Sequence, residues 1–173
     1  MPIWSRFDGI LSVKKRAWVY NPNFSKIQGI APPPNDEGVY MIRCATNDKH
    51  KPMPIDRVNG TDEGGILYYG SSDKLSDRIL SFWKAANENK KNIKEHHSGG
   101  NTYALFDYVK KFPLANLEVS WEIYVEQWEN LNFPGKNGIE KRESQLLHNY
   151  CNKFLDRPPL NLNIKRWQRN TAE

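Results

Sequence analysis

The chain has 173 residues, a formal net charge of +5 at neutral pH and two cysteines. This length suits one domain with short extensions and is enough to bury a core without disulfide support. Cys44 and Cys151 alone exclude a disulfide framework and a four-cysteine zinc site. No apolar run reaches the roughly 18 residues of a membrane span, and charged residues interrupt the N-terminal segment that a secretory signal would occupy. We therefore expect a soluble, cytoplasmic protein without a membrane partner, whose positive charge attracts polyanions.

Residues 1–36 are interpreted as an N-terminal arm. Residues 9–13 are apolar enough for a short strand, and residues 14–20 mix positive charge with aromatic side chains. Such a mixture is typical of nucleic-acid contacts, because cations bind phosphate and rings stack on bases. The proline-rich run at 32–36 predicts a stiff, extended linker that ends the arm. The candidate nucleic-acid contacts of the arm are Lys14, Lys15 and Arg16.

Two strands open the main domain, which we expect to span residues 37–164. Residues 38–45 and 66–70 are mostly apolar, aromatic or β-branched and have turn-forming residues near them. We expect them to pair as an antiparallel hairpin. Residues 46–64 are polar and contain several prolines and glycines, which predicts a long loop.

Two helices are predicted after the second strand. Residues 75–87 place their apolar side chains on one face at helical spacing, with Ser72 and Asp73 as candidate N-caps. The polar stretch up to Gly100 predicts a loop. Residues 101–112 predict a second short helix that stops at a proline.

The last part of the domain predicts a strand and a longer helix. Residues 117–125 show the clearest two-residue period in the chain, and residues 139–156 have helical periodicity. Residues 165–173 form a basic tail. The order of elements predicts an α+β fold in which helices flank a small antiparallel sheet of about three core strands. The candidate nucleic-acid contacts of the tail are Lys165 and Arg166.

One carboxylate has an unusual position in the last predicted helix. At about 100° per residue, Glu143 points in the same direction as the apolar residues of that helix, which are Ile139, Leu146, Leu147, Tyr150 and Phe154. Carboxylates are rarely buried unless they are paired or bind a metal. Glu143 is therefore a candidate functional residue. Two alternatives stay open: a structural carboxylate that favours the helix N-terminus or pairs with an arginine, and a functional Glu140 at the edge of the same face.

Five motif elements carry a family resemblance. They are Gly38-Val39-Tyr40, Tyr68-Tyr69-Gly70, Leu75-Ser76-Asp77-Arg78, Glu143 with Leu146-Leu147, and Arg157-Pro158-Pro159-Leu160-Asn161. Over residues 38–163 they resemble the GIY-YIG nuclease family in kind and in order. The arginine helix is similar to that of the bacterial excision-repair incision nuclease, where the arginine also follows the motif glycine by eight residues.

The resemblance implies roles for the tyrosines and the arginine. Tyr40 and Tyr68 match the two motif tyrosines, one of which helps to activate the attacking water, and Arg78 matches the arginine that binds the scissile phosphate. An arginine offers phosphate a bidentate fork and spreads the developing negative charge. A tyrosine has an ordinary pKa of about 10, so it is a poor base unless cations lower that pKa. Lys74, one turn before Arg78, is a second candidate cation and nucleic-acid contact.

The resemblance also implies a metal site. Glu143 matches the glutamate that holds one Mg²⁺ or Mn²⁺ ion per active site, and Asn161 matches the asparagine that supports the site. One carboxylate is sufficient, because Mg²⁺ keeps several waters and also binds substrate phosphate. The stretch from Glu143 to Asn161 is longer than in the repair domain, so Asn163 is the alternative to Asn161.

The chain departs from the family at two positions near the site. Many members have a lysine directly after the second motif, where this chain has Ser71. Some restriction-type members have a histidine one turn after the arginine, where this chain has Phe82. His96 or His97 from the following loop is a candidate replacement, with His97 also a candidate nucleic-acid contact; the alternative is that both are ordinary surface histidines.

These residues predict a metal-dependent endonuclease that cuts DNA. A nearly bare catalytic domain with basic extensions resembles the small restriction endonucleases of the family, for which a homodimer on a palindromic site is expected. One alternative is a non-catalytic nucleic-acid-binding protein on the same fold. Another is an unrelated α+β protein with a chance motif match, in which Tyr40, Tyr68, Arg78 and Glu143 do not cluster in space.

Overall fold

The computed structural model describes residues 4–6, 33–46, 51–87 and 97–162 of the chain. No helix in these ranges combines the length and the apolar character needed to cross a bilayer. The strand expected at 9–13 lies outside the described residues. So do several candidate residues, namely Lys14, Lys15, Arg16, His96, Asn163, Lys165 and Arg166.

The described elements form an α+β fold, as predicted. The strands are β1 (Ser5–Arg6), β2 (Gly38–Cys44), β3 (Ile55–Asp56), β4 (Thr61–Asp62), β5 (Ile66–Ser72) and β6 (Leu117–Ile123), and the helices are α1 (Leu75–Asn87), α2 (Ser98–Leu105) and α3 (Gly138–Phe154). Four strands make one antiparallel sheet in the order β1–β6–β2–β5. The predicted sheet of about three core strands is confirmed, with the two-residue β1 added at its edge.

The hairpin predicted from the first two strands of the domain is confirmed. β2 and β5 pair from Gly38 opposite Ser72 to Ile42 opposite Tyr68, and β6 pairs with the other side of β2, which makes β2 the central strand. The prediction of a long loop over residues 46–64, between β2 and β5, is wrong in part, because this stretch contains the short hairpin β3–β4. The arm is not wholly separate from the domain, since β1 pairs with β6.

The sheet has helices on both faces. Alternation along β2 sends Tyr40 and Ile42 into the core formed with α1 and α2, because successive side chains of a strand point to opposite faces. Met41 packs instead with Tyr150 and Phe154 of α3. The result is a three-layer arrangement in which β2 is buried from both sides.

The segment before β2 caps α1. The backbone N–H groups of Leu75 and Ser76, at the start of the helix, donate to the carbonyl oxygens of Asp36 and Pro34 at 3.0 and 3.1 Å. The predicted cap from Ser72 or Asp73 is wrong: the hydroxyl of Ser72 accepts from the backbone N–H of Lys74, just before the helix. The first turn of α1 is thus tied to the start of β2 by backbone groups, whose bonding the sequence does not reveal.

The second predicted helix is shifted along the chain. α2 begins at Ser98 and ends at Leu105, whereas the sequence predicted a loop up to Gly100 and a helix over 101–112. A Cβ atom on Gly100 would lie 2.6 Å from the carbonyl oxygen of Phe82 and 2.7 Å from the Cβ of Ala85. Glycine therefore marks a close approach of α2 to α1, not a loop. Asp107, with a φ of 53°, separates α2 from a short 3₁₀ helix at Tyr108–Lys110.

The last strand and helix follow the prediction closely. β6 ends at Ile123, two residues short of the predicted strand. α3 begins at Gly138 and stops where Leu155 takes a φ of 52°. Asn137 caps α3, and the Asn137 side chain accepts from the backbone N–H of Glu140 while the Glu140 carboxylate accepts from that of Asn137. These two bonds satisfy amide groups that the first turn of a helix otherwise leaves unpaired.

The close approach of α1 and α2 predicts an inverted effect of a helix-favouring substitution. We expect Gly100→Ala to lower the free energy of unfolding by about 1–3 kcal/mol, because the added methyl group is overpacked. In an exposed helix the same change stabilises by about 1 kcal/mol. Asn149→Ala on the exposed side of α3 is the control and should gain up to about 0.7 kcal/mol. Urea unfolding measures both, and a stabilised Gly100→Ala would contradict the packing.

Candidate active site

Tyr40 and Tyr68 lie side by side on the face of the sheet that α1 and α2 cover. Their ring centroids are 5.8 Å apart. Gly70 is the cross-strand partner of Tyr40, and a Cβ atom there would lie 2.6 Å from the Tyr40 hydroxyl oxygen. The glycine of the second motif is therefore needed because the Tyr40 ring crosses the strand at this point.

Both tyrosines are deeply buried. Tyr40 is 0% exposed and Tyr68 is 5% exposed. Burial raises the pKa of Tyr40 well above its ordinary value of 10.0, the neighbouring Tyr68 adds to the rise, and the charge of Arg78 lowers it. The pKa of Tyr68 is also raised by burial and lowered by Ser98 and Arg78. In the free protein both hydroxyls therefore keep their protons at neutral pH.

His97 lies inside the core, so the expectation of a surface histidine is wrong. Its side chain is 0% exposed and makes no direct nucleic-acid contact in this conformation. Nε2 is 2.6 Å from the hydroxyl oxygen of Tyr40, and Nδ1 accepts a hydrogen bond from the backbone N–H of Gly100 at 3.2 Å. The ring lies edge-on to Phe82. Burial, with Arg78 in addition, lowers the pKa of His97 to about 3, so the imidazole is neutral.

Arg78 lies among these side chains. It is half-buried on α1, and its charge lowers the pKa values of Tyr40, Tyr68 and His97. It also lowers the pKa of Glu143, which belongs to α3 on the other face of the sheet. The charge of Arg78 therefore acts on the two tyrosines and on the glutamate that the motifs predicted.

Glu143 is half-buried on the face of α3 that packs on the sheet. Its Oε2 accepts a hydrogen bond of 2.5 Å from the hydroxyl of Ser71, the residue that stands where many family members have lysine. Burial raises the pKa of Glu143 above its ordinary value of 4.5, while Ser71, Lys136 and Arg78 lower it. Glu140 is exposed and serves in the cap of α3. Of the two carboxylates that the sequence left open, Glu143 is the half-buried one that packs on the sheet.

Asn161 holds the outer strand rather than the reacting groups. Its Oδ1 accepts from the backbone N–H of Tyr69 at 2.9 Å, and its Nδ2 donates to the carbonyl oxygen of Tyr69 at 2.8 Å. The side chain thereby extends the ladder of β5 next to Tyr68. Both polar atoms of the Asn161 amide are bonded to the backbone of Tyr69.

Lys136 is a residue that sequence reasoning missed. It is exposed in the loop before α3, its Nζ donates to the hydroxyl of Ser144, and its charge lowers the pKa of Glu143. The sequence shows only a Gly/Asn/Pro loop at this point, with no sign that the loop folds back towards Glu143. Lys74, the cation that the sequence did predict, is exposed just before α1.

The donor set at Glu143 fits a hard cation that keeps most of its waters. Among the described residues there is no cluster of three or more His, Cys, Asp or Glu side chains that would enclose a metal ion. Within that part of the chain, Ser71 occupies Oε2 of Glu143 and no group bonds Oε1. A partly desolvated carboxylate with one open oxygen suits Mg²⁺ or Mn²⁺ held by a single protein ligand, waters and substrate phosphate.

Comparisons with protein-family models, with curated proteins and with solved structures find no match to this chain. The family resemblance therefore rests on the motif residues themselves.

The Asn161 bridge predicts a stability effect. We expect Asn161→Ala to lower the free energy of unfolding by about 1–3 kcal/mol, because it leaves the buried N–H and C=O groups of Tyr69 without partners. Urea unfolding measures the loss. Asn163→Ala is the paired variant: if it costs more than Asn161→Ala, the supporting role belongs to Asn163.

The burial of Glu143 predicts that the residue opposes folding at neutral pH. Its pKa is raised in the folded chain, so between the unfolded and folded pKa values the folded state binds more protons, and stability falls as pH rises through that window. We expect Glu143→Gln to raise the free energy of unfolding at pH 7 and to weaken this fall. Glu122→Gln, which breaks a bidentate ion pair with Arg142, should instead lower it.

Urea unfolding at pH 7 and near pH 4.5 measures the stability of both variants and distinguishes the opposite effects expected for Glu143 and Glu122. A loss of stability at neutral pH in Glu143→Gln would mean that Glu143 is a structural ion-pair partner, which is the alternative that the sequence left open.

Proposed function

We propose that this protein is a divalent-metal-dependent endonuclease of the GIY-YIG type that hydrolyses DNA phosphodiester bonds. The observation that carries the proposal is the placement of Tyr40 and Tyr68 side by side, with ring centroids 5.8 Å apart, where the charge of Arg78 acts on both of them and on Glu143. The strands β2 and β5 and the helices α1 and α3 contribute one of these side chains each. Perturbed titratable groups gathered around one cation are typical of catalytic sites.

The chain's own residues suit phosphodiester chemistry. Arg78 offers a planar fork of donors to phosphate oxygens. Its partial burial strengthens the electrostatic attraction between the guanidinium group and phosphate. Mg²⁺ or Mn²⁺ at Glu143, when bound, polarises the phosphoryl group and stabilises the leaving oxygen. Ser71 holds Glu143 through Oε2. Lys136 and Lys74 are exposed cations suited to neighbouring phosphates along the strand.

A tyrosine hydroxyl would orient the attacking water. In the free protein, burial outweighs Arg78 and keeps both tyrosines protonated, so the hydroxyl acts first as a hydrogen-bonding group. Its conversion into a base requires more positive charge at the site than Arg78 supplies alone. The proposal therefore makes cleavage depend on both Arg78 and the charge at Glu143.

A non-catalytic nucleic-acid-binding protein is the second candidate. The observation in its favour is the burial of both tyrosines, at 0% and 5% exposure, which is what core side chains show. It predicts binding to DNA without cleavage. A homodimer acting on a palindromic site belongs to the first candidate and would give paired cuts at fixed positions.

The endonuclease proposal predicts metal-dependent nicking of supercoiled plasmid. The wild type should convert plasmid to nicked and linear forms with Mg²⁺ or Mn²⁺ and not with a chelator. Glu143→Gln should fall to background, and Arg78→Ala should lose roughly 10²–10³-fold, the usual effect of removing one group that stabilises the transition state. Gel electrophoresis over a time course measures the rates.

Glu140→Gln is the matched control, because glutamine preserves the cap of α3 and the residue lies one turn from Glu143. It should cut at the wild-type rate. Equal cleavage by Glu143→Gln and the wild type would sink the metal-site assignment. Salt-dependent binding without cleavage, across duplex, single-stranded and branched DNA, would favour the binding protein instead.

A further inference from the structure

His97 occupies two positions at once: it is the N-cap of α2 and a neighbour of Tyr40. Nδ1 accepts a hydrogen bond from the backbone N–H of Gly100 at 3.2 Å, while Nε2 lies 2.6 Å from the Tyr40 hydroxyl oxygen. The ring is fully buried and lies between the aromatic rings of Tyr40, Tyr68 and Phe82. No part of the endonuclease proposal above uses this residue.

The cap determines which nitrogen carries the proton. A backbone N–H can only donate, so Nδ1, which faces Gly100, must be unprotonated. A neutral imidazole has one N–H, and it is therefore on Nε2, which faces Tyr40. The imidazolium form would place a second N–H against that of Gly100. Burial disfavours that form as well and lowers the pKa of His97 to about 3.

The direction of the next hydrogen bond follows. Since Nε2–H donates, the oxygen of Tyr40 accepts, and the Tyr40 proton points away from His97. The Tyr68 ring is its neighbour on this face of the sheet, with the two ring centroids 5.8 Å apart, so Tyr68 lies on the side of Tyr40 that is left for its proton.

We propose that His97 is a positioning residue of the active site, which donates from Nε2 to Tyr40 and thereby turns the Tyr40 proton towards Tyr68. The chain Gly100, His97, Tyr40, Tyr68 then has one direction, and it ends at the less buried tyrosine. The Tyr68 hydroxyl lies 3.3 Å from that of Ser98, an exposed residue. In this arrangement the Tyr68 oxygen accepts from Tyr40, and the Tyr68 proton is available to water or substrate.

The consequence for catalysis rests on the proposed function, but the direction of the chain does not. Hydrogen bonds in sequence, here from Gly100 to His97 and from His97 to Tyr40, stabilise negative charge beyond their last member, because each donor is polarised by the one before it. The groups that influence the pKa of Tyr68 are Ser98 from α2, Glu143 from α3 on the other face of the sheet, Arg78 from α1 and Tyr40 from β2. Loss of the His97 donor should therefore make Tyr68 harder to deprotonate, in a site whose other charges are unchanged.

The first test is independent of any activity. Nitrogen-15 NMR of the full-length wild type, labelled at histidine, should show His97 with a protonated Nε2 and an unprotonated Nδ1. Those shifts should stay constant from neutral pH to about pH 5, well above its pKa of about 3. Protonation on Nδ1, or titration of His97 between pH 7 and pH 5, would overturn the proposal even if the protein is an active nuclease.

The second test separates positioning from capping. Asparagine is a good N-cap but is too short to donate to Tyr40. His97→Asn should therefore preserve α2 and remove the hydrogen bond to Tyr40. We expect cleavage to fall about 10–100-fold, the usual range for groups that orient a site residue, and the pH–rate profile to move to higher pH. His148→Asn, on the exposed side of α3, is the control and should change neither.

A double variant makes the test sharper. If His97 acts through Tyr40, adding His97→Asn to Tyr40→Phe should cost little more than Tyr40→Phe alone, because residues in one chain are not additive. An unchanged pH–rate profile in His97→Asn, or fully additive losses, would show that His97 serves only as a cap. If the wild type does not cleave at all, the proposed function fails and the NMR measurement still decides the direction of the chain.

Discussion

The pairing of β2 with β5 is the constraint on which the site depends. In this register Tyr40 lies opposite Gly70 and Ile42 lies opposite Tyr68, so the two motif tyrosines share one face and their rings meet. A shift by one residue would turn one of the rings to the α3 face. The register also sends Ser71 to that opposite face, where its hydroxyl reaches Glu143. One strand pair thereby fixes both halves of the candidate site.

Burial and the charge of Arg78 are the two main influences on the pKa values of the candidate site. Burial raises the pKa of Tyr40, Tyr68 and Glu143, and Arg78 opposes it at each of them. At His97 the two act together, and the imidazole is kept neutral. On the proposed function, a metal ion would offset the desolvated carboxylate of Glu143, and a bound phosphate would offset the charge of Arg78.

Several residues outside the motif positions hold the candidate site together through specific hydrogen bonds. Asn161 replaces a strand neighbour along the edge of β5, and His97 caps the start of α2 through Nδ1 while its Nε2 lies next to Tyr40. The carbonyl oxygens of Pro34 and Asp36 hold the start of α1. Each of these contacts joins segments that are far apart in sequence. Together they determine where Arg78 and the tyrosines stand relative to each other.

The sequence by itself determined the classes of element and the identity of the central residues. The hairpin, α1, β6 and α3 follow from local periodicity, and Glu143 was found because a carboxylate on an apolar helix face is costly. Periodicity reports only which way a side chain faces within its own element. It cannot tell that Gly100 marks helix packing instead of a loop, or that His97 is buried against Tyr40. Those facts, and the roles of Ser71 and Lys136, were decided by tertiary structure, because they depend on which distant segments approach within a few ångströms.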